Sequence, residues 1–403
     1  MPTPNPALDR RRLAAALALL ALAPAACSRE RAPAEPMPEP VPEVLGTLPG
    51  GRGDEPAGAP GGGGGPVATW TVPRPGAGER PAIAPPVTAA AGSGMPRPTE
   101  LPPAPPAVEA PAPDAELLAL MRAVRPDRLA ADVARLVGFG TRHALAPEGD
   151  PNRGPAAAAA WLRADLEGTA RSAASQITVE EEEFPLVLGG TTTTQRNVMA
   201  TLTGIGQAKR LIYLVAHYDS RTEDVLDGLS DAPGADDNAS GAAALLELAR
   251  VLGGRQWDGS IRLMATAAEE QGMHGSRHHA PLARRVGLPI EGAINLDIVG
   301  GGPDAGGTRA AGSVRAFSAA PDDSPSRALA RWARFVAERY GALAVDVQPT
   351  SDREGRESDH QPFADAGFPA LRLISAVEDT TRQHNALDTA ERVKTAVEKL
   401  SQQ

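Results

Sequence analysis

Residues 211–220 read LIYLVAHYDS, so an unbroken apolar run leads directly into a histidine and an aspartate. A continuous apolar run of this length is typical of a strand buried on both faces, as in a parallel sheet. His217 and Asp219 are two residues apart on this extended segment and therefore point to the same side. The pair predicts that His217 binds a metal ion while Asp219 holds its ring, although a His-x-Asp pair on its own is more often structural.

The pattern around this stretch predicts an α/β fold. Further short apolar runs predict strands at residues 196–202, 260–267, 293–297 and 370–374, and helical spacing predicts helices at residues 115–124, 128–137, 155–166, 239–252, 324–340 and 389–400. Strands that alternate with helices favour a three-layer αβα sandwich with a mostly parallel, mixed central sheet. Ligands of such sheets gather at the carboxyl ends of the strands, where we expect the chemistry.

Carboxylates and imidazoles follow most of the predicted strands. They are Asp236 and Asp237 in the loop motif GADDNASG, Glu269 and Glu270 after residues 260–267, Asp297 at the end of residues 293–297, and His384 after the last strand. Each has an ordinary interpretation as a helix cap or an exposed loop residue. Two carboxylates at a buried strand end are costly unless positive charge lies nearby, so the set as a whole predicts a bound cation.

The donor types narrow the choice of cation. Two histidines and three carboxylates, with one glutamate left over, suit a pair of borderline divalent ions such as Zn²⁺, which accept nitrogen and oxygen ligands. Calcium prefers oxygen ligands alone. Cys27 is the single cysteine of the chain and precedes the predicted folded body, so neither a disulfide nor a cysteine-type structural zinc site is expected there.

The ordered motifs HYDS, GADDNASG, AEEQG, NLD, ESDHQPF and the final histidine resemble family 28 of the metallopeptidases. This zinc-dependent exopeptidase family includes leucyl-type bacterial aminopeptidases, glutamate carboxypeptidase II and glutaminyl cyclases, and the resemblance covers residues 115–403. It implies that His217 and Asp297 bind one zinc ion and that Glu270 and His384 bind the other. It also implies that Asp236 bridges the two ions.

The same resemblance implies a mechanism. Glu269 matches the general base of the family. Asp219 matches a residue that orients His217 without binding the metal. The peptide bond between Asp236 and Asp237 matches a cis peptide bond of the family, and Asp237, like Asp219, would not bind the metal. The implied reaction is hydrolysis of a peptide bond by a metal-bound water that Glu269 deprotonates. The second zinc ion would hold the free amine of the substrate, so the implied function is an aminopeptidase acting on peptides with a free N-terminus.

Some features depart from the family. Ala268 stands where the family usually has glycine and His274 where it often has leucine, but neither change removes a ligand.

Three other functions are alternatives to the aminopeptidase. A carboxypeptidase or dipeptidase of the same family would share the metal ligands. A glutaminyl cyclase is also possible, although cyclases typically depart from ADDNASG. The third alternative is a non-catalytic binding module that keeps the fold without the metals.

The N-terminal part has a different composition, with 26 of the 40 prolines in residues 1–113. Three arginines at residues 10–12 precede an apolar run that ends at Cys27, which resembles a bacterial lipoprotein signal, with Pro24 as a departure. We expect a signal peptide over residues 1–27, lipidation of Cys27, a disordered linker over residues 28–113 and the exopeptidase domain over residues 114–403. The protein would be exported and anchored to a membrane only through Cys27, on the periplasmic or outer side, or otherwise secreted.

The charge of the chain argues against one class of partner. Fifty acidic and 40 basic residues give a net charge of −10, and the arginines at residues 10–12 form the one Lys/Arg block. Nucleic-acid affinity depends on clustered cations, so nucleic acid is not an expected partner.

Overall fold

The computed structural model describes residues 113–207, 209–301, 312–340, 343–391 and 393. The predicted signal peptide, the lipidation site at Cys27 and nearly all of the predicted linker lie outside these residues, as does most of the helix predicted at residues 389–400. Within the described residues, the helices are too short or too polar to cross a membrane.

The described residues form an eight-stranded sheet in the order β1-β2-β4-β3-β5-β8-β6-β7. The strands are β1 Ile177–Leu188, β2 Thr191–Leu202, β3 Leu211–His217, β4 Ser260–Thr266, β5 Ile290–Leu296, β6 Ser313–Ser318, β7 Ala344–Val347 and β8 Ala370–Ser375. The helices are α1 Ala115–Arg122, α2 Pro126–Val137, α3 Gly154–Ser172, α4 Ser240–Leu252, α5 His274–Arg285, α6 Pro325–Tyr340 and α7 His360–Asp365.

The centre of the sheet is parallel and its flanks are mixed. Strand β3 pairs in parallel with β4 and β5, and β5 pairs in parallel with β8. Antiparallel pairs join β1 to β2, β2 to β4 and β6 to β8. The sequence did not predict β1, because the four glutamates at residues 180–183 interrupt any apolar run in what is an edge strand.

Alternating side chains of each central strand face opposite layers. On β3, Ile212 and Leu214 belong to the larger apolar cluster, which includes side chains of helices α1 to α4 and α6. Tyr213 and Val215 belong to a second cluster, which includes side chains of α5 and α7. The predicted three-layer αβα architecture is therefore confirmed.

The central strands end at the same level. His217, the last residue of β3, lies beside Thr266, the last residue of β4. Val215 of β3 lies beside Asn295 of β5, which in turn lies beside Arg372 of β8. Because these four strands are parallel, the residues that follow them converge on one edge of the sheet.

Candidate metal centre

Six side chains at this edge form two groups with the spacing of metal ligands. One group contains His217, Glu269 and Asp297, and the other contains Asp237, Glu270 and His384. Within each group, one nitrogen or oxygen atom from every residue lies within 4.8 Å of the others. Five of these residues belong to the predicted metal and catalytic set, and the sixth, Asp237, was predicted to lie outside it.

Asp237 joins the two groups. Its Oδ1 lies 3.4 Å from Nε2 of His217, and its Oδ2 lies 3.2 Å from Nε2 of His384. The same His217 nitrogen is 3.4 Å from Oδ1 of Asp297, and the same His384 nitrogen is 3.1 Å from Oε2 of Glu270. One carboxylate thus presents an oxygen to each half of the centre.

This arrangement corrects the prediction that Asp236 is the bridge. The Asp236 side chain turns away and its Oδ1 accepts a hydrogen bond from the backbone N–H of Gly300. The cis peptide bond also lies one residue further on, between Asp237 and Asn238. Asp388 accepts hydrogen bonds from the backbone N–H groups of both Asp236 and Asp237, at 2.8 and 2.9 Å. With the backbone held in this way, only the second aspartate of the pair reaches the sheet edge.

Asn238 ties the same turn to the end of β5. Its side-chain nitrogen donates to the carbonyl of Leu296 at 2.9 Å, and its side-chain oxygen accepts from the N–H groups of Gly241 and Ile298. The side chain is fully buried, so all of these bonds are shielded from water. The turn that carries Asp237 is consequently connected to the strand that carries Asp297.

Asp219 contacts the backbone of the glutamate pair as well as His217. Its Oδ1 lies 3.5 Å from Nδ1 of His217. Its two oxygens also accept hydrogen bonds from the N–H groups of Glu269 and Glu270, both at 3.1 Å. Asp219 therefore lies where it orients the His217 ring, and it additionally fixes the segment that carries Glu269 and Glu270.

The backbone near the centre adopts a conformation that favours glycine at four non-glycine positions. Ala268, Met273, Ile298 and His384 have φ values of 55°, 60°, 58° and 57°. Such residues cost roughly 1–3 kcal/mol each and persist only where the surrounding structure holds them. Ala268 is the position where the resemblance leads one to expect glycine, which adopts this φ freely.

The electrostatics of the centre show an excess of negative charge. Burial raises the pKa of Glu269 well above its ordinary value, and the nearby Asp297 carboxylate raises it further. Burial by itself lowers the pKa of His384, but its bonds to Asp237 and Glu270 outweigh burial and raise the pKa to about 9. The crowded carboxylates thus demand positive charge, which a metal ion would supply.

The residues fit a pair of divalent ions. Both ring nitrogens of His217, Oε1 of Glu270 and Oδ1 of Asp297 are buried without a hydrogen-bond partner among the described residues. Tetrahedral zinc with bonds of about 2.0–2.1 Å places its ligand atoms roughly 3.3 Å apart. The two histidine Nε2 atoms lie 3.1 to 3.4 Å from the nearest oxygens of Asp237, Asp297 and Glu270. Mixed imidazole and carboxylate donors of this kind suit zinc.

A cavity of about 200 Å³ opens beside the two groups. Its wall includes the apolar side chains of Met273 and Ile298 and the charged side chains of Arg221, Arg356 and Glu357. Of these cavity residues, Glu357 is the first residue of the motif ESDHQPF. The sequence analysis did not single out the other four, because each lies in a loop directly beside a motif and carries no periodic signal.

Comparison with known proteins places these features in a family. The model of "Peptidase family M28" matches residues 197–402. A "Probable zinc metalloprotease" of Leptosphaeria maculans is 34% identical over 308 residues, which are 69% of this chain and 70% of that protein. Three further relatives with the same description are 34% to 35% identical, and the chain spans 61% to 62% of their length.

Solved structures share the fold. The LapA aminopeptidase of Legionella pneumophila aligns with a TM-score of 0.54 at 19% identity, covering 71% of this chain and 73% of its own. A glutaminyl cyclase of Bacteroides thetaiotaomicron aligns with a TM-score of 0.51 at 20% identity, covering 69% of this chain and 95% of its own. At these identities the likeness concerns the fold.

Proposed function

The chain belongs to peptidase family M28, and we propose that it is an aminopeptidase that uses two zinc ions to remove the N-terminal residue of peptides. The observation that carries this proposal is the pair of ligand groups joined by Asp237, with Glu269 beside them. The description of its relatives as zinc metalloproteases supports the choice of metal.

Each half of the centre would hold one ion. His217 and Asp297 would hold the first, Glu270 and His384 would hold the second, and Asp237 would offer one oxygen to each. Bound zinc would supply Lewis acidity, which lowers the pKa of a water molecule and polarises the carbonyl of the scissile bond.

Glu269 is the residue of this chain that would move the proton. Its side chain is 10% exposed, it lines the cavity, and its Oε2 lies 3.8 Å from Nε2 of His217. Its backbone N–H group donates to Asp219, which holds the backbone of Glu269 in place beside the cavity. In the proposed reaction Glu269 accepts a proton from the water that attacks the scissile carbonyl. It then donates this proton to the leaving nitrogen as the peptide bond breaks, so Glu269 ends in its starting protonation state.

The cavity supports recognition of an N-terminal amine. Its volume of about 200 Å³ gives room for a short segment rather than a long chain. The carboxylates of Glu269, Glu270 and Glu357 all line it and would attract an ammonium group. Met273 and Ile298 give it an apolar surface, so we expect a preference for apolar N-terminal side chains.

A dipeptidase or carboxypeptidase is a second candidate because of Arg356. This guanidinium lines the same cavity, where it could bind the terminal carboxylate of a short substrate. Its Nη2 already lies 3.4 Å from Oε2 of Glu378 and also donates to Gln383, so part of its hydrogen-bonding capacity is in use. This internal pairing favours the aminopeptidase.

Metal content and substrate choice test the proposal together. Zinc per chain is measured by elemental analysis, and hydrolysis is measured on aminoacyl anilides and dipeptides with a free or an acetylated amine, with and without chelator. We expect about two zinc ions per chain and chelator-sensitive cleavage of the free-amine substrates. Cleavage of acetylated dipeptides would favour the carboxypeptidase, release of ammonia from glutaminyl peptides would favour a cyclase, and absence of metal and turnover would favour a binding module.

We also propose that the protein is exported and lipidated at Cys27. The proposal rests on the arginines, the apolar run and the small residues that precede this cysteine. Fractionation of cells that express the full chain or a Cys27→Ser variant tests it. We expect the wild type in the membrane fraction and the variant outside it, and an identical distribution would refute lipid anchoring.

A further inference from the structure

An arginine lies against one carboxylate in each half of the metal centre. Nη2 of Arg372 is 2.9 Å from Oδ2 of Asp297. Nε of Arg221 donates to Oε2 of Glu270 at the same distance of 2.9 Å. The remaining oxygen of each carboxylate, Oδ1 of Asp297 and Oε1 of Glu270, is buried without a hydrogen-bond partner among the described residues. Both carboxylates therefore offer one paired oxygen and one unpaired oxygen.

The Arg372 pair is the more deeply buried of the two. The side chains of Arg372 and Asp297 are each 3% exposed. A second carboxylate, Asp352, is 1% exposed and lies 3.1 Å from Nη1 of Arg372, which also donates to the carbonyl of Arg356 at 2.6 Å. A guanidinium stays charged and planar, so these contacts hold it in one orientation.

The backbone that carries Arg372 is equally constrained. Arg372 lies within β8 and is the register partner of Asn295 on β5, two residues before Asp297. Its position relative to Asp297 is thus set by the parallel sheet rather than by a loop, and groups held by such elements are positioned most accurately.

We propose that Arg372 is a positioning residue for Asp297 and that it sets the zinc affinity of this half of the centre. The inference rests on the proposed zinc site. The ion pair at Oδ2 stops the carboxylate from rotating and leaves Oδ1 facing His217, at 3.4 Å from its Nε2. An aspartate without this restraint would distribute its oxygens over several orientations, and only some of these would face the metal position.

A purely electrostatic role for Arg372 predicts the opposite sign. A fixed positive charge near the site repels a metal cation, so removing it would strengthen zinc binding if charge were the main effect. Removing a positioning residue instead weakens zinc binding, by roughly 10- to 100-fold in comparable cases. The direction of the change in affinity therefore distinguishes the two roles.

The test measures zinc affinity without relying on activity. Wild type, Arg372→Met and Arg372→Lys are stripped of metal and titrated with zinc against a coloured chelator, and the absorption of Co²⁺ bound in place of zinc reports ligand geometry. Arg262→Met is the control. Arg262 is also largely buried, at 12% exposure, and its side chain is paired with Glu180. It lies near the start of β4, at the end of the strand away from the metal centre. Circular dichroism checks that each variant is folded.

We expect Arg372→Met to bind one of two zinc ions roughly 10- to 100-fold more weakly and to alter the Co²⁺ spectrum, while Arg262→Met binds like wild type. Arg372→Lys should also bind more weakly, because one ammonium cannot hold both Asp297 and Asp352, and it carries the test if the methionine variant fails to fold. Unchanged or tighter binding by the variants overturns the inference. Wild type that binds no zinc refutes the proposed function itself.

Discussion

The two halves of the proposed metal centre are built in different ways. The strand half consists of His217, Asp297 and Arg372, which lie at the end of β3, directly after β5 and within β8. The loop half consists of Glu270, His384 and Arg221, all of which lie in connecting segments outside the strands and helices. The side chain of His217 is 1% exposed, whereas that of His384 is 18% exposed.

This difference shows two ways of holding a ligand. In the strand half, the paired backbones of parallel strands place the side chains, and a buried ion pair with Arg372 adds to this at Asp297. In the loop half, the backbone is positioned by hydrogen bonds such as the one from Glu270 N–H to Asp219. Segments with more exposure and fewer buried contacts open more easily. We therefore expect the loop half to exchange its metal faster.

The largest expected effect is that of replacing Glu269, whose proposed role as the base serves both halves. Glu269→Gln should lower kcat by about 10²- to 10⁴-fold, because the amide cannot accept the proton of the attacking water. Zinc affinity of both halves should stay near that of wild type, as measured by titration. Glu167→Gln on the surface of α3 is the control. A loss of activity below about tenfold would show that another group is the base.

Removing one histidine from each half tests the comparison directly. His217→Ala and His384→Ala should each weaken the binding of one zinc ion by about 100-fold or more, since each loses a ligand rather than a supporting residue. His217→Ala should also destabilise the metal-free protein by about 1–3 kcal/mol and His384→Ala by less, because the His217 side chain is 1% exposed and its loss leaves a cavity, whereas that of His384 is 18% exposed. Urea unfolding in the presence of chelator measures this. Equal destabilisation by the two variants would contradict the distinction between the halves.

Asp388 offers a way to affect both halves at once. The two carboxylate oxygens of Asp388 accept one hydrogen bond each from the backbone N–H groups of Asp236 and Asp237. In Asp388→Asn only one side-chain oxygen remains, so one of these N–H groups loses its acceptor. We expect a loss of about 1–3 kcal/mol in unfolding free energy, from the unsatisfied donor. Because Asp237 faces both histidines, the affinities for both zinc ions should decrease together. A decrease confined to one ion would show that Asp237 serves a single half.

The last expected effect is confined to the pH dependence of stability and concerns a residue near the strand half. Asp359 accepts hydrogen bonds from Thr266, the neighbour of His217 in the sheet, and from Ser276. Burial raises the pKa of Asp359 from 3.8 to about 6. The folded state therefore binds this proton more tightly than the unfolded state, and the stability that it contributes is lost as pH rises from about 4 to about 6.

Asp359→Asn should abolish this part of the pH dependence. The difference in unfolding free energy between wild type and variant should change by roughly 2–3 kcal/mol across this interval. Urea unfolding of both proteins at pH 4 and pH 7 checks the result. A difference that is independent of pH would mean that folding does not raise the pKa of Asp359.

The sequence predicted the central strands well because burial on both faces leaves an unbroken apolar run. The runs around Leu211 and Ala370 have this form, and both are strands in the structure. Strands β6 and β7 near the opposite edge were not predicted, since short, partly exposed strands such as Ala344–Val347 have no such run. Strand β1 was missed for the related reason that its glutamates face solvent in part.

By itself, the sequence determined the α/β architecture and the order of the motifs, since burial and strand ends leave a local pattern in the chain. Only the tertiary structure decided that Asp237 and not Asp236 faces both histidines, because two adjacent identical residues carry no pattern that separates them. It also decided the contacts of Arg372 with Asp297 and of Asp388 with the Asp237 backbone. These contacts join residues 75 and 151 positions apart in the sequence, and only the folded sheet brings them together.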